Sequence, residues 1–252
     1  MKKLGFIGTG NLAGFFVEGL KRINAAYAIT VSPRNAAKAA ELRARFGVTI
    51  AADNQQIADT CDLVVVSLLP QDAAAILTPL KFRINQTVLS VMAGVSLDNV
   101  KNLVLPAEAA VAMMPGLANA HNAGPSVLYP NNAVVRTLLE KLGPVHVYAN
   151  HQTYAAASVI GAFSGLSLLM LRDAVAWFAA NGLDEYDARR LLIEVLRGNA
   201  AMLVESRLTL DEVAQGVVTP GGITEQGRKI LDGGGSWPAA LDAVFRRVSG
   251  RY

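Results

Sequence analysis

Two short stretches carry glycines and hydroxyl residues at spacings suited to binding anions. The first is Gly-Phe-Ile-Gly-Thr-Gly-Asn-Leu-Ala-Gly at positions 5–14, which puts Gly8 and Gly10 at the end of an apolar run, with a small residue, Ala13 or Gly14, shortly after. Glycine loses more conformational entropy on folding than any other residue, so such a cluster needs a geometric reason: a tight turn, or backbone brought close to something bound. The pattern fits the dinucleotide fingerprint, in which a pyrophosphate rests on unpaired amides at a helix N-terminus. An ordinary βα turn with a tolerated glycine pair is the plainer alternative.

The second stretch is Thr219-Pro220-Gly221-Gly222-Ile223-Thr224, followed by a segment, 224–231, that is able to form a helix. Pro-Gly-Gly is not helix interior, so the amides of Gly222, Ile223 and Thr224 are expected to point outward at a helix start, a site suited to a carboxylate. The alternative is that Thr219 or Thr224 serves only as a helix cap.

The end of the second strand bears on which dinucleotide would fit. An NAD-type site carries an acid about 20 residues beyond the glycines, where a carboxylate accepts from the ribose hydroxyls. This chain has Ser32-Pro33-Arg34-Asn35. The Arg34 guanidinium can pair bidentately with phosphate and the Ser32 hydroxyl can donate to it, which predicts NADPH over NADH; a solvated arginine after a turn proline is the alternative. His121, His146 and His151 show no zinc-like spacing and read as surface or capping residues, with His121 placed nearest a potential ligand by its loop after Met114-Pro115. No metal is expected.

These residues must be held by a scaffold, and the 252-residue chain has room for one or two cores. Its 52% apolar and 17% charged residues describe a compact globular protein. A net charge of +3 without a basic run excludes nothing by itself, but it offers no track for a phosphate backbone, and no nucleic-acid partner is expected. The single Cys61 stands just before an apolar strand, reads as a small buried residue, and points to a reducing, cytoplasmic compartment. Up to about Asn150, short β-rich runs alternate with helical stretches, as in βαβ units around a mainly parallel sheet. The expected strands are Lys-Leu-Gly-Phe-Ile-Gly, Ala-Ile-Thr-Val-Ser, Val-Thr-Ile-Ala, Leu-Val-Val-Val-Ser-Leu-Leu, Thr-Val-Leu-Ser-Val-Met-Ala-Gly, Ala-Ala-Val-Ala-Met-Met, Pro-Ser-Val-Leu-Tyr and Val-His-Val-Tyr-Ala.

From His151 onward the chain reads as helices: a long apolar one, one over 184–206 with Asp184 as N-cap, and one after Ser236 with Pro238 in its first turn. The predicted architecture is thus α/β, a doubly wound dinucleotide domain over 1–150 and an all-α domain over 151–252. The uncharged stretch Tyr154–Leu171 is long enough for a membrane span, but it is rich in Ala, Ser and Gly and runs into Arg172-Asp173 without a basic flank. It reads as a subunit interface, and a homodimer through the C-terminal helices is expected, with further assembly left open.

Taken in order, the motifs resemble those of pyrroline-5-carboxylate reductases. The family's GxGNMA-type turn is matched by Gly8-Thr9-Gly10-Asn11-Leu12-Ala13, its Pro-Gln after strand four by Leu69-Pro70-Gln71, and its Ala-Gly-Val-Ser by Ala93-Gly94-Val95-Ser96. Its Met-Pro-Asn loop is matched by Met114-Pro115-Gly116, and its late Ser-Pro-Gly-Gly-Thr-Thr by Thr219-Pro220-Gly221-Gly222-Ile223-Thr224. The resemblance implies reduction of a small cyclic imino acid by hydride from NAD(P)H. It places Gly8, Thr9, Gly10, Asn11, Leu12, Ser32, Arg34, Leu69, Pro70, Ala93, Gly94 and Met114 along the cofactor. It further implies that Thr219, with Gly221, Gly222, Ile223 and Thr224, holds the substrate carboxylate in a site completed by two subunits, and that the Thr224 hydroxyl bonds the ring nitrogen.

Two positions and one segment depart from the pattern. The family's Arg before Met-Pro is Ala112 and its following Asn is Gly116. Its Gly-Ser-Gly-Pro-Ala-Tyr segment aligns with Gly161-Ala162-Phe163-Ser164-Gly165-Leu166, where Phe163 and Leu166 alter the expected pocket. Two alternatives accompany the reductase reading: a paralogue acting on another imine or keto substrate, and a non-catalytic nucleotide-binding dimer.

Overall fold

The computed structural model describes residues 2–250. Strands β1 (Lys2–Ile7), β2 (Tyr27–Val31), β3 (Thr49–Ile50), β4 (Leu63–Val66), β5 (Thr87–Ser90), β6 (Glu108–Met113), β7 (Ser126–Tyr129) and β8 (Val145–Val147) form one sheet in the order β3-β2-β1-β4-β5-β6-β7-β8. Neighbours are parallel except β6 and β7, which run antiparallel. Each expected strand is present, several of them shorter than their apolar runs, because the run continues into the loop or helix that follows.

The apolar runs bury both faces of the sheet. Leu4, Phe6 and Val65 join Phe16, Leu42 and Leu89 on one side, while Ile7, Val64 and Val66 join Ile57, Val88 and Val111 on the other. That is the period-two alternation of a strand covered twice, which needs apolar residues at every position. Cys61 is buried in the second of these clusters, where desolvation raises its thiol pKa.

Helices α1 (Asn11–Arg22), α2 (Ala36–Phe46), α3 (Asn54–Thr60), α4 (Pro70–Leu77), α5 (Leu97–Val104), α6 (Leu117–Ala120), α7 (Ala133–Leu139) and α8 (His151–Ala157) connect or follow the strands. Asn35, Asp53, Ser96, Asn132 and Asn150 cap their helices with side-chain oxygens. The strand order turns back between β1 and β4, since β2 and β3 lie on one side of β1 and β4 on the other. Ligands of doubly wound sheets bind outside the strand ends at such a reversal.

The remaining helices are α9 (Ile160–Ala180), α10 (Glu185–Glu205), α11 (Leu210–Val217), α12 (Ile223–Asp232) and α13 (Trp237–Val248). Asp184 and Ser236 cap α10 and α13 as expected, with Pro238 in the first turn of α13. The long apolar stretch is not one helix but two, α8 and α9. Ser158 closes α8 and donates its hydroxyl to the Tyr154 carbonyl at 2.8 Å, the back-bonding that bends helices. By length and composition, 151–180 is apolar enough to cross a membrane.

The chain divides into two compact units between Ser164 and Gly165, inside α9. In the second unit only Val175, Ala188, Gly227 and Ala240 are buried among the described residues. Leu168, Leu169, Leu191, Val195 and Leu196 stand exposed on its helices, and Val204 is 86% exposed. Apolar surface on this scale marks an interaction face.

Candidate functional site

The glycine turn follows β1 directly. Gly8 has φ +99°, and a Cβ there would lie 2.5 Å from the Ser67 carbonyl oxygen, so conformation and space both require glycine. Gly10 differs: its backbone is extended, at φ −103° and ψ −165°, and a Cβ would meet nothing within 4 Å. It stands as the N-cap of α1 without a side chain to satisfy the first helical amides, which are left for a ligand. A cavity of about 260 Å³ opens here, walled by Gly8, Thr9 and Gly10 on one side and by Arg34, Ser67, Leu69 and Asp72 on the others. Open space at Gly10, free helix amides and a cation on the rim fit the phosphate portion of a dinucleotide.

Ser32 does not line this cavity, and Thr9, though part of its wall, turns its hydroxyl to Ser32. Thr9 is 3% and Ser32 1% exposed. The Thr9 hydroxyl donates to the Ser32 carbonyl at 2.7 Å and lies 2.9 Å from the Ser32 hydroxyl, which in turn accepts from the Gly8 amide at 3.1 Å. Thr9 has one proton, already given to the carbonyl, so the Ser32 hydroxyl donates to Thr9 Oγ1 and has no proton left to offer a phosphate. The Ser67 hydroxyl fastens the other side of the turn by donating to the Gly8 carbonyl at 2.7 Å.

Arg34 does reach the cavity rim, but its Nη2 donates to Asp72 Oδ2 at 2.8 Å. Leu69 is 60% exposed and lines the same cavity. Asn11 and Leu12 occupy the first turn of α1. Pro70, at the first position of α4, and Gly94, with φ +74°, line a separate cavity between α4 and α5, and Ala93 is exposed beside Gly94. Met114 is buried in the core cluster of Phe6 and Leu89, so only its backbone can face a ligand. Gly116, at φ +82°, sits where a Cβ would approach Phe15 at 2.9 Å and Leu12 at 3.2 Å, so an asparagine there would strain the backbone and displace the Phe15 ring.

His121 accepts from Arg22 Nη2 through Nδ1 at 3.2 Å. Arg22 ends α1, whose 12 residues separate it from the glycine turn by roughly 16 Å, so His121 lies away from the cavity.

In the second unit, Thr219-Pro220-Gly221-Gly222 forms a turn, with Gly221 at φ +74° and Gly222 as the N-cap of α12. Neither threonine caps the helix. The Gly222 amide donates to the Thr219 carbonyl at 2.8 Å and the Gly221 amide to Glu225 Oε2 at 3.0 Å. Of the three amides expected to face outward, Gly222's is therefore committed to the turn, and those of Ile223 and Thr224 remain. The Gly221 amide, helped by Lys229, holds the Glu225 carboxyl below its ordinary pKa. Thr219 and Thr224 are exposed, and the Thr224 hydroxyl makes no hydrogen bond among the described residues.

Gly161 packs close to β6, where a Cβ would lie 3.0 Å from Met113 Sδ. Phe163 is 65% exposed. Asp72, Ser67 and Glu225 carry no fingerprint of their own: an acid in the first turn of a helix ordinarily reads as a complement to the helix dipole.

Fold and turn together define an α/β oxidoreductase of the nicotinamide-dinucleotide-dependent class. Residues 3–94 match the family described as NADP oxidoreductase coenzyme F420-dependent, and residues 150–250 match pyrroline-5-carboxylate reductase dimerisation. Pyrroline-5-carboxylate reductase 1 of Bacillus spizizenii is 26% identical over 96% of this chain and 86% of its own length. The fold is shared with two solved structures. The 1-pyrroline-5-carboxylate reductase of Streptococcus pyogenes has a TM-score of 0.83 at 21% identity, covering 99% of this chain and 97% of that one. The Plasmodium falciparum pyrroline carboxylate reductase with NADP bound has a TM-score of 0.82 at 17% identity, covering 100% and 98%. Over nearly its whole length the chain is thus similar to pyrroline-5-carboxylate reductases, with residues 150–250 matching their dimerisation domain.

Proposed function

We propose that the protein reduces pyrroline-5-carboxylate to proline with NADPH, as a homodimer built through its C-terminal helices and working in the cytoplasm. Residues 1–150 hold the cofactor, and 151–252 form the dimer and receive the substrate. The observation that carries this reading is the glycine turn: Gly10 offers open space at an uncapped helix start, with Arg34 on the cavity rim. Bound NADPH supplies a hydride to the carbon of the substrate's protonated C=N bond, leaving a secondary amine.

The chain's own residues bind and orient. Gly8 and Gly10 bring backbone to the pyrophosphate, Arg34 offers its guanidinium to the 2′-phosphate, and Ser32 and Thr9 position the turn from inside. The Ile223 and Thr224 amides receive the substrate carboxylate, and the Thr224 hydroxyl positions the ring nitrogen. A protonated imine is already electrophilic, so orientation and charge complementarity supply most of what the reaction needs. The exposed apolar faces of α9 and α10 support the dimer. Assaying NADPH oxidation against pyrroline-5-carboxylate, with proline measured as product, tests the assignment.

A further inference from the structure

We propose that Asp72 sets how strongly the protein discriminates NADPH from NADH, by competing with the 2′-phosphate for Arg34. This rests on assigning the glycine-turn cavity to the dinucleotide.

Arg34 lies just beyond β2, and Asp72 in the first turn of α4, just beyond β4. Since β1 runs between those two strands, the 2.8 Å ion pair bridges the end of β1 and the glycine turn that leaves it. Two strand spacings, roughly 10 Å, separate β2 from β4, so two side chains reaching toward each other are needed to span the gap. Both residues wall the cavity, and their side chains are 62% and 31% exposed, so the pair stands at the mouth within reach of a ligand.

One guanidinium bond goes to Asp72, leaving four N–H donors for another acceptor. The carboxylate neutralises the cation that a 2′-phosphate needs, and an anion beside that phosphate repels it. Facing a ribose with free hydroxyls, the same carboxylate accepts hydrogen bonds as the acid of an NAD site does. Asp72 therefore penalises the 2′-phosphate and tolerates its absence. Arg34 alone reads as an NADPH residue; the Arg34–Asp72 pair is a device for using both cofactors.

Calorimetric titration of the full-length protein with 2′,5′-ADP and with 5′-AMP isolates this effect from catalysis. Asp72→Asn keeps an acceptor for Arg34 while removing the charge, and an exposed pair contributes little to folding. The expected result is 2′,5′-ADP binding 3- to 10-fold tighter in Asp72→Asn, with 5′-AMP binding unchanged or weaker; in an Arg34→Ala background the substitution no longer tightens 2′,5′-ADP. Unchanged or weaker 2′,5′-ADP binding in Asp72→Asn, or equal tightening with and without Arg34, overturns the proposal. Failure of the underlying assignment looks different: neither nucleotide then responds to Gly10→Ala.

Discussion

The Thr9 and Ser32 hydroxyls lie 2.9 Å apart, and between them they spend every proton they carry on each other and on the chain. This pair joins the end of β2 to the glycine turn after β1, so a residue expected to greet a phosphate acts as a brace beneath it. Ser32→Ala is accordingly expected to lower stability by about 1–2 kcal/mol, the cost of a buried amide and hydroxyl losing a partner. NADPH and NADH affinities should fall by similar factors. Denaturant unfolding together with titration of both cofactors checks this; a loss confined to NADPH means that Ser32 does reach the 2′-phosphate.

The two glycines of the turn should respond differently to the same added methyl group. Gly8→Ala combines a left-handed backbone with a Cβ 2.5 Å from the Ser67 carbonyl oxygen, and should lose about 2–4 kcal/mol of stability. Gly10→Ala meets open space in an extended backbone and should stay within about 1 kcal/mol of the parent, the unfolded-state entropy gain opposing alanine's poorer N-cap preference. On the proposed cofactor placement its methyl group would meet the pyrophosphate, and NADPH affinity should drop at least about tenfold. Thermal melts and fluorescence titration of NADPH separate the two effects.

How far these roles were legible depends on sequence distance. The sheet could be read because buried parallel strands announce themselves as apolar runs, such as Leu-Val-Val-Val at 63–66, and the caps Asp184 and Ser236 because a capping oxygen acts on neighbours two or three residues on. The Gly8–Gly10 turn was legible for the same local reason. The partners that decide what Ser32 and Arg34 do lie 23 and 38 residues away in sequence, and no local pattern reports them. Glu225 reaches back four residues to the Gly221 amide, a contact that depends on how the turn enters α12. At Ser158 the apolar stretch passes through a turn in which Val159 and Gly161 bond three residues back, to Ala156 and Ser158, and no residue type in the sequence marks that switch.

The Glu225 contact gives a pH signature. Its carboxyl is held below its ordinary pKa, first by the Gly221 amide and then by Lys229. A depressed carboxylate contributes its stabilisation above the unfolded pKa and loses it as pH falls through the folded value. The Gly221 amide resonance should titrate with the Glu225 carboxyl, its inflection displaced to lower pH than that of an unpartnered glutamate. In Glu225→Gln that inflection should vanish; an unaltered titration assigns it to another group.

The central claim is that the exposed Thr224 hydroxyl, at the start of α12, acts on the substrate and not on the fold. The most direct measurement is proline formed from pyrroline-5-carboxylate and NADPH by the parent protein and by Thr224→Ala, alongside their unfolding curves. The account predicts turnover in the parent, a fall in kcat/KM of about 100-fold in the variant, and stabilities within about 0.5 kcal/mol of each other. A parent protein that binds NADPH yet forms no proline, or a variant with full activity, contradicts it.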